Sequence, residues 1–182
     1  MCIRDRHNGT IWRWNRIIPG FVPGEAPRLR IEHRIMPAGP SIVDMVANAA
    51  LYFGATAAYA KRAAKFSAEF PFHSCEANFY AAAKDGLEVS IAWPGTSGTV
   101  DVLNLLLQEI LPAAADGLAQ HGVPDEEISF YLDVIRQRLY TRQNGCEWQR
   151  RFIEKHGKKW DKLTTRYLEN QRSGFPVHEW DL

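Results

Sequence analysis

The tetrapeptide Pro37-Ala38-Gly39-Pro40 constrains this chain more than any other feature, because the hydrophobic pattern has one period before it and another after it. Upstream, Arg28 to Met36 (RLRIEHRIM) alternates residue by residue, the pattern of a strand. Downstream, Ile42, Val43, Met45, Val46, Ala49, Ala50 and Phe53 recur at helical spacing, and Ser41 with Asp44 three residues on supplies an N-cap. The junction suits neither element, since proline donates no backbone hydrogen bond and glycine holds no backbone conformation. Strands are therefore expected up to residue 40, and mainly helices from 41 to 182.

A second strand is expected over Thr10 to Ile18 (TIWRWNRII), stopping at Pro19-Gly20, with Phe21 to Pro27 as a loop around Pro23-Gly24. The two strands are expected to be antiparallel neighbours. After the long helix that begins at Ser41, Glu76 to Lys84 reads as a short helix stopped by Asp85-Gly86, and Leu87 to Trp93 as extended chain closed by Pro94-Gly95. Val100, Leu103, Leu107, Ile110, Leu111, Ala114 and Leu118 mark a helix from Thr99 that Pro112 should kink or divide and His121-Gly122 should end. Further helices are expected from Pro124, over Gly145 to His156 and over Lys158 to Gln171. The fold class is α+β: two antiparallel strands followed by a helical layer.

With 182 residues, 46% apolar and 24% charged, the chain can build one domain with a core. A net charge of +1 argues against non-specific binding to nucleic acid or an anionic membrane, which calls for a large basic excess. No apolar run approaches the roughly 20 residues of a membrane span; Ile42 to Ala60 is interrupted by Asp44 and Asn48. Met1 to Arg6 has no signal-peptide pattern, so a cytoplasmic location is expected. These six residues resemble translated adapter sequence and are read as non-native, with the reading frame cut upstream. Cys2, Cys75 and Cys146 have neither disulfide nor metal-ligand spacing and are read as reduced and non-catalytic.

Alternation places Arg28, Arg30, Glu32 and Arg34 on one face of their strand, and Leu29, Ile31, His33 and Ile35 on the other, which is expected to pack in a core. Three guanidinium groups two residues apart repel one another unless an anion lies over them. A polyphosphate with its metal fits: arginine matches phosphate oxygens with a planar fork, and Mg²⁺ takes one or two carboxylates beside phosphate and water. The competing reading is a solvated face on which Glu32 pairs with its neighbours. His33 is expected to be a satisfied, buried imidazole, and Trp12 and Trp14 to be core residues.

Four blocks then carry a resemblance: HNGTIWRWNR from His7 to Arg16, RLRIEHRIMPAGPSIVDMVANAA from Arg28, NFYAAAKDGL from Asn78 to Leu87, and NGCEWQRR from Asn144 to Arg151. In this order they resemble the C-terminal half of the glutamate-cysteine ligase-like carboxylate-amine ligases, in the glutamine synthetase superfamily. The resemblance implies that residues 7–182 are the C-terminal part of one glutamine synthetase-like catalytic domain. It implies ATP and Mg²⁺ as cofactors, with Glu32 as metal ligand, Arg30 and Arg34 on the phosphates, and Arg16 facing the transferring phosphoryl group, so that Arg16 and Arg34 are the catalytic candidates. The substrates implied are glutamate or a similar carboxylate and an amine such as cysteine, joined through an acyl phosphate. Neither nucleic acid nor membrane is implied as a partner, and homo-oligomerisation stays open.

The family's other metal carboxylates lie upstream of this segment, so the chain alone is expected to be an inactive fragment of an active parent. Asn78, Lys84 and Asp85, and the group Gln149, Arg150 and Arg151, are second-rank candidates, each also explained as a helix stop or a solvated basic face. From another class, the alternative is a non-catalytic helical interaction module whose ionic strand is structural.

Overall fold

The structure, a computed structural model, describes residues 15–34 and 39–182. The expectations for Met1 to Trp14, and for Ile35 and Met36, lie outside those residues, as does the side chain of Arg16. The chain divides into two compact units, Met1–Ala38 and Gly39–Leu182, close to the change of period at Pro40. Two antiparallel two-stranded sheets and a helical majority make it a mixed α and β protein, consistent with α+β.

In the first unit, β1 (Asn15–Gly20) pairs antiparallel with β2 (Arg28–His33). The turn between them is closed by the Glu25 amide donating to the Val22 carbonyl at 3.0 Å. Pro23 and Gly24, the latter at φ 86°, occupy the two central positions that a type II turn requires. β1 runs through Pro19, past its expected stop, with Pro19 opposite Leu29. In a two-stranded ribbon each strand has an unpaired edge, where proline costs no ladder bond. The expectation that Leu29 and Ile31 pack in a core is not met: they are 75% and 70% exposed, and Ile17 is exposed beside them. A lone ribbon has no second layer of its own.

The second unit begins with α1 (Ile42–Ala60), whose capping box is complete: Asp44 N donates to Ser41 Oγ, and Ser41 N donates to Asp44 Oδ2. Then come α2 (Ala63–Glu69), which the sequence pattern did not separate from α1, and α3 (Phe72–Asp85). A 3-10 turn, Gly86–Glu88, leads to a hairpin of β3 (Ser90–Ala92) and β4 (Thr99–Asp101). Thr99 thus starts a strand and not the expected helix; Asp101 is the N-cap that starts the helix, accepting from the Asn104 amide at 2.9 Å.

That helix is continuous through α4 (Val102–Leu105), a π-helical stretch (Leu106–Ile110) and α5 (Leu111–Gln120). The kink expected at Pro112 takes the form of this π stretch just before it, since proline cannot donate to the preceding turn. By length and composition Val102–Gln120, at a mean hydropathy of 1.3, is long and apolar enough to cross a membrane, which corrects the expectation that no such run exists. Its Leu111, Ala114 and Leu118 are buried in the core with Ala47 of α1.

The last helices, α6 (Asp125–Thr141), α7 (Gly145–His156) and α8 (Trp160–Ser173), lie where the caps and glycines predict. Ile128, Leu132, Ile135 and Leu139 of α6 complete the main core at helical spacing. α1 and α5 meet backbone to backbone: a Cβ on Gly117 would collide with the Gly54 carbonyl, and one on Gly54 with the Ala114 carbonyl. A second cluster joins Trp148 and Phe152 of α7 to Val177 and Trp180 of the C-terminal strap, with Trp148 and Trp180 edge to face at 5.6 Å.

Candidate functional site

The hairpin register sets Arg16 opposite Glu32, Ile18 opposite Arg30 and Gly20 opposite Arg28. Directly opposed residues share a face, so Arg16, Arg28, Arg30 and Glu32 belong to one side of the ribbon, and Arg34 follows at the next same-side position. Arg34 Nε lies 3.7 Å from Glu32 Oε2, with Glu32 partly buried. The Arg30 guanidinium lies over Gly20, its Nη2 3.7 Å from where a Cβ would stand there. Arg28 is turned aside to pair with Glu25 of the turn. The ionic face therefore concentrates on Arg30, Glu32 and Arg34, with the backbone of Arg16 alongside.

On the other face His33 Nδ1 is 2.9 Å from Asn15 Oδ1, its register partner. Burial lowers the His33 pKa from the usual imidazole value. The expected satisfied imidazole is present, but it is half-buried and rests on a strand neighbour, not in a core.

Glu32 is a partly buried carboxylate among guanidinium groups, a donor set that fits one ligand of a phosphate-bound Mg²⁺. Among the described residues no group of three or more His, Cys, Asp or Glu side chains gathers to hold a metal. Glu32 would therefore share such an ion with phosphate oxygens, water and carboxylates from beyond this hairpin.

The second unit carries a cavity of about 900 Å³ between the end of α3 and the turn from α6 to α7. It brings together two sequence blocks that lie far apart, with Lys84, Asp85 and Glu88 on one wall and Arg142, Glu147 and Arg150 on the other. Arg142 crosses the cavity to Glu88, Nη1 to Oε1 at 2.6 Å. Arg150 and Arg151 share a single carboxylate, Glu147, at 3.1 and 3.4 Å. Arg151 also donates to the Arg142 carbonyl at 3.1 Å and to Gln143 Oε1 at 3.1 Å, so it ties down the end of α6.

Arg142 is the one non-glycine residue at positive φ among the described residues, at φ 49° and ψ 38°, where it ends α6. Glycine is the usual occupant of this position, and an L side chain there costs about 1–2 kcal/mol. Sequence alone pointed to Lys84, Asp85, Arg150 and Arg151 but missed Glu88, Arg142 and Glu147. The available signal was an arginine standing where a helix stop ahead of the Asn144 N-cap calls for glycine.

The remaining sequence candidates have structural work. Asn78 clamps β3 from the side, donating to the Ala92 carbonyl at 2.7 Å and accepting from its amide at 2.9 Å. Gln149 donates to Gly145 O within its own helix at 3.0 Å. Glu109, in the π stretch, was not anticipated: its Oε1 accepts from Tyr59 Oη at 3.1 Å and Trp93 Nε1 at 2.9 Å. Burial, then the hydrogen bond to Glu109, pushes the Tyr59 phenol up to about 12. Comparison of the chain with protein-family models, with curated proteins and with solved structures finds no match.

Proposed function

We propose that this chain is the C-terminal part of the catalytic domain of a glutamine synthetase-like, ATP-dependent carboxylate-amine ligase of the glutamate-cysteine type, acting in the cytoplasm. The observation that supports this reading most is the hairpin register. It puts Arg16 opposite Glu32 and leaves Arg30, Glu32 and Arg34 together on one face, with Glu32 partly buried. In this reading Arg30 and Arg34 hold phosphate oxygens, Glu32 supplies one carboxylate to Mg²⁺, and Arg16 neutralises charge on the phosphoryl group in transit.

Bound Mg·ATP supplies the phosphoryl group that turns a substrate carboxylate, glutamate or one like it, into an acyl phosphate. The amine, such as cysteine, then displaces phosphate to leave an amide. Such chemistry depends on position and charge neutralisation more than on a protein nucleophile. Arginines and one carboxylate suit the part that this segment would play. The chain alone is read as inactive, because one glutamate cannot hold the metal site that the reaction needs.

To test this, the protein is expressed with the coding sequence that precedes His7 in its source DNA and titrated calorimetrically with ATP, with and without Mg²⁺. Metal-dependent binding that Glu32→Gln abolishes and Arg30→Ala weakens by about tenfold is the expected result. Binding untouched by both variants, or absent throughout, overturns the assignment. In that event the helical interaction module leads, a reading favoured by the exposed Ile42 and Phe53 on α1.

A further inference from the structure

We infer that the cavity between α3 and the turn from α6 to α7 is a binding site for a small, doubly charged phosphate or carboxylate anion, held by Arg142 and Arg150. This inference does not rest on the ligase reading, and its residues belong to the second unit alone.

The lining is dense in charged side chains. Lys84, Arg142, Arg150 and Arg151 face Asp85, Glu88 and Glu147, so cations exceed carboxylates. The N-terminal turn of α7, through Asn144 and Cys146, adds the partial positive charge of a helix start. A volume of about 900 Å³ suits a small organic ligand.

The pairing of these charges is uneven. Glu147 is committed to its own helix: its amide donates to Asn144 Oδ1 at 2.9 Å, and its carboxylate takes Arg150 through Oε2 at 3.1 Å and Arg151 through Oε1 at 3.4 Å. Arg150 is two-thirds exposed, so its pair with Glu147 is a surface one that a dianion can displace. Arg142 has Glu88, but both side chains are more than half exposed, and an ion pair in water is weak enough for a dianion to displace. Arg151 fixes the Arg142 carbonyl from behind, so the backbone that presents Arg142 is rigid while its guanidinium can exchange partners. An arginine kept in the left-handed conformation that glycine would take more readily is accounted for by a task for its side chain. In the bound state the Arg142 fork leaves Glu88 and grips the anion together with Arg150.

The test uses the full chain with Cys2→Ser and Cys75→Ser, which leaves Cys146, an exposed thiol on the cavity wall, as a reporter. Inorganic phosphate and succinate, both dianions at about pH 8, are titrated without metal at low salt, read by calorimetry and by the rate at which a thiol reagent modifies Cys146. The expected result is saturable binding by at least one probe, with Cys146 modification slowed as it fills. Stronger binding of inorganic phosphate assigns a phosphate ligand, and stronger binding of succinate a carboxylate. Arg142→Gly, which suits the local backbone, and Arg150→Ala should each weaken binding about tenfold. Glu88→Gln should strengthen it by freeing Arg142, and Lys65→Ala on the exposed face of α2 should leave it unchanged. No saturable binding of either probe, indifference to Arg142→Gly, or weakening by Glu88→Gln overturns the proposal.

Discussion

Asp44 and Arg138, 94 positions apart, form the most buried ion pair among the described residues: Asp44 Oδ1 takes Arg138 Nη2 at 2.6 Å and Nε at 3.0 Å. Arg138 Nη1 donates to Asn48 Oδ1 at 2.7 Å and Nη2 also to the Asp44 carbonyl at 3.0 Å, and Asp44 Oδ2 accepts from Ser41 and from the Val177 amide. Burial lowers the Arg138 pKa and the Asp44 charge opposes that shift. Removing one partner leaves an uncompensated charge inside. Asp44→Ala should therefore cost about 3–5 kcal/mol in denaturant unfolding, while the apolar double change Asp44→Leu with Arg138→Met should cost less than the sum of its parts.

At the crossing of α1 and α5 the usual rule for glycine reverses. An alanine in a helix is normally favoured over glycine by about 1 kcal/mol. Gly117→Ala would instead force two backbones apart and should destabilise by about 1–3 kcal/mol, read as a lowered midpoint of thermal or urea unfolding. An unchanged or raised midpoint would contradict the close approach.

The strap that follows α8 is part of the core. Gln143 Nε2 donates to the carbonyls of Val177 at 2.8 Å and Trp180 at 3.0 Å, and Trp148 Nε1 donates to that of Asp181 at 3.0 Å. Trp180→Ala should lose about 3–5 kcal/mol, and deletion of residues 176–182 should loosen α7 and α8 in hydrogen exchange before the α1 and α5 core responds.

His178 gives the strap a pH dependence. Its Nδ1 is buried without a hydrogen-bond partner, and desolvation lowers its pKa although Glu179 and Asp44 oppose the shift. A depressed folded pKa means that the unfolded chain binds the proton more readily. The contribution to stability is then present above the unfolded imidazole value of about 6.5 and is lost as pH falls through the folded one. The melting temperature should drop between pH 7.5 and 5, and His178→Phe should flatten part of that drop. The shift of His33 has the same sign, in the hairpin.

Local rules carried much of the fold. Ser41 with Asp44, Pro124 before an acidic turn, and Gly157 mark helix ends by short-range chemistry, and each lies where its residues predict. The ionic face of β2 was legible for the same reason, since alternation is a property of neighbours. What escaped depended on distant partners. Ser90–Ala92 pairs with Thr99–Asp101 across a turn, and Asn78 secures that hairpin from α3. The cavity needs Glu88 and Arg142 brought together over 54 positions, which no local pattern encodes. The C-terminal strap has no periodicity at all, and its place follows from carbonyls that suit Gln143 and Trp148.

The bond from Val177 to Asp44 spans 133 positions, and it has a bearing on how the protein is made. On the ribosome α1 is synthesised 133 positions ahead of this donor, so the carboxylate at its start cannot receive that amide until Val177 has emerged. A nascent chain that pauses before Val177 carries an α1 whose buried anion lacks one of its partners. Completion of this unit thereby waits on a contact of long sequence separation, a step that slows with the distance it must close.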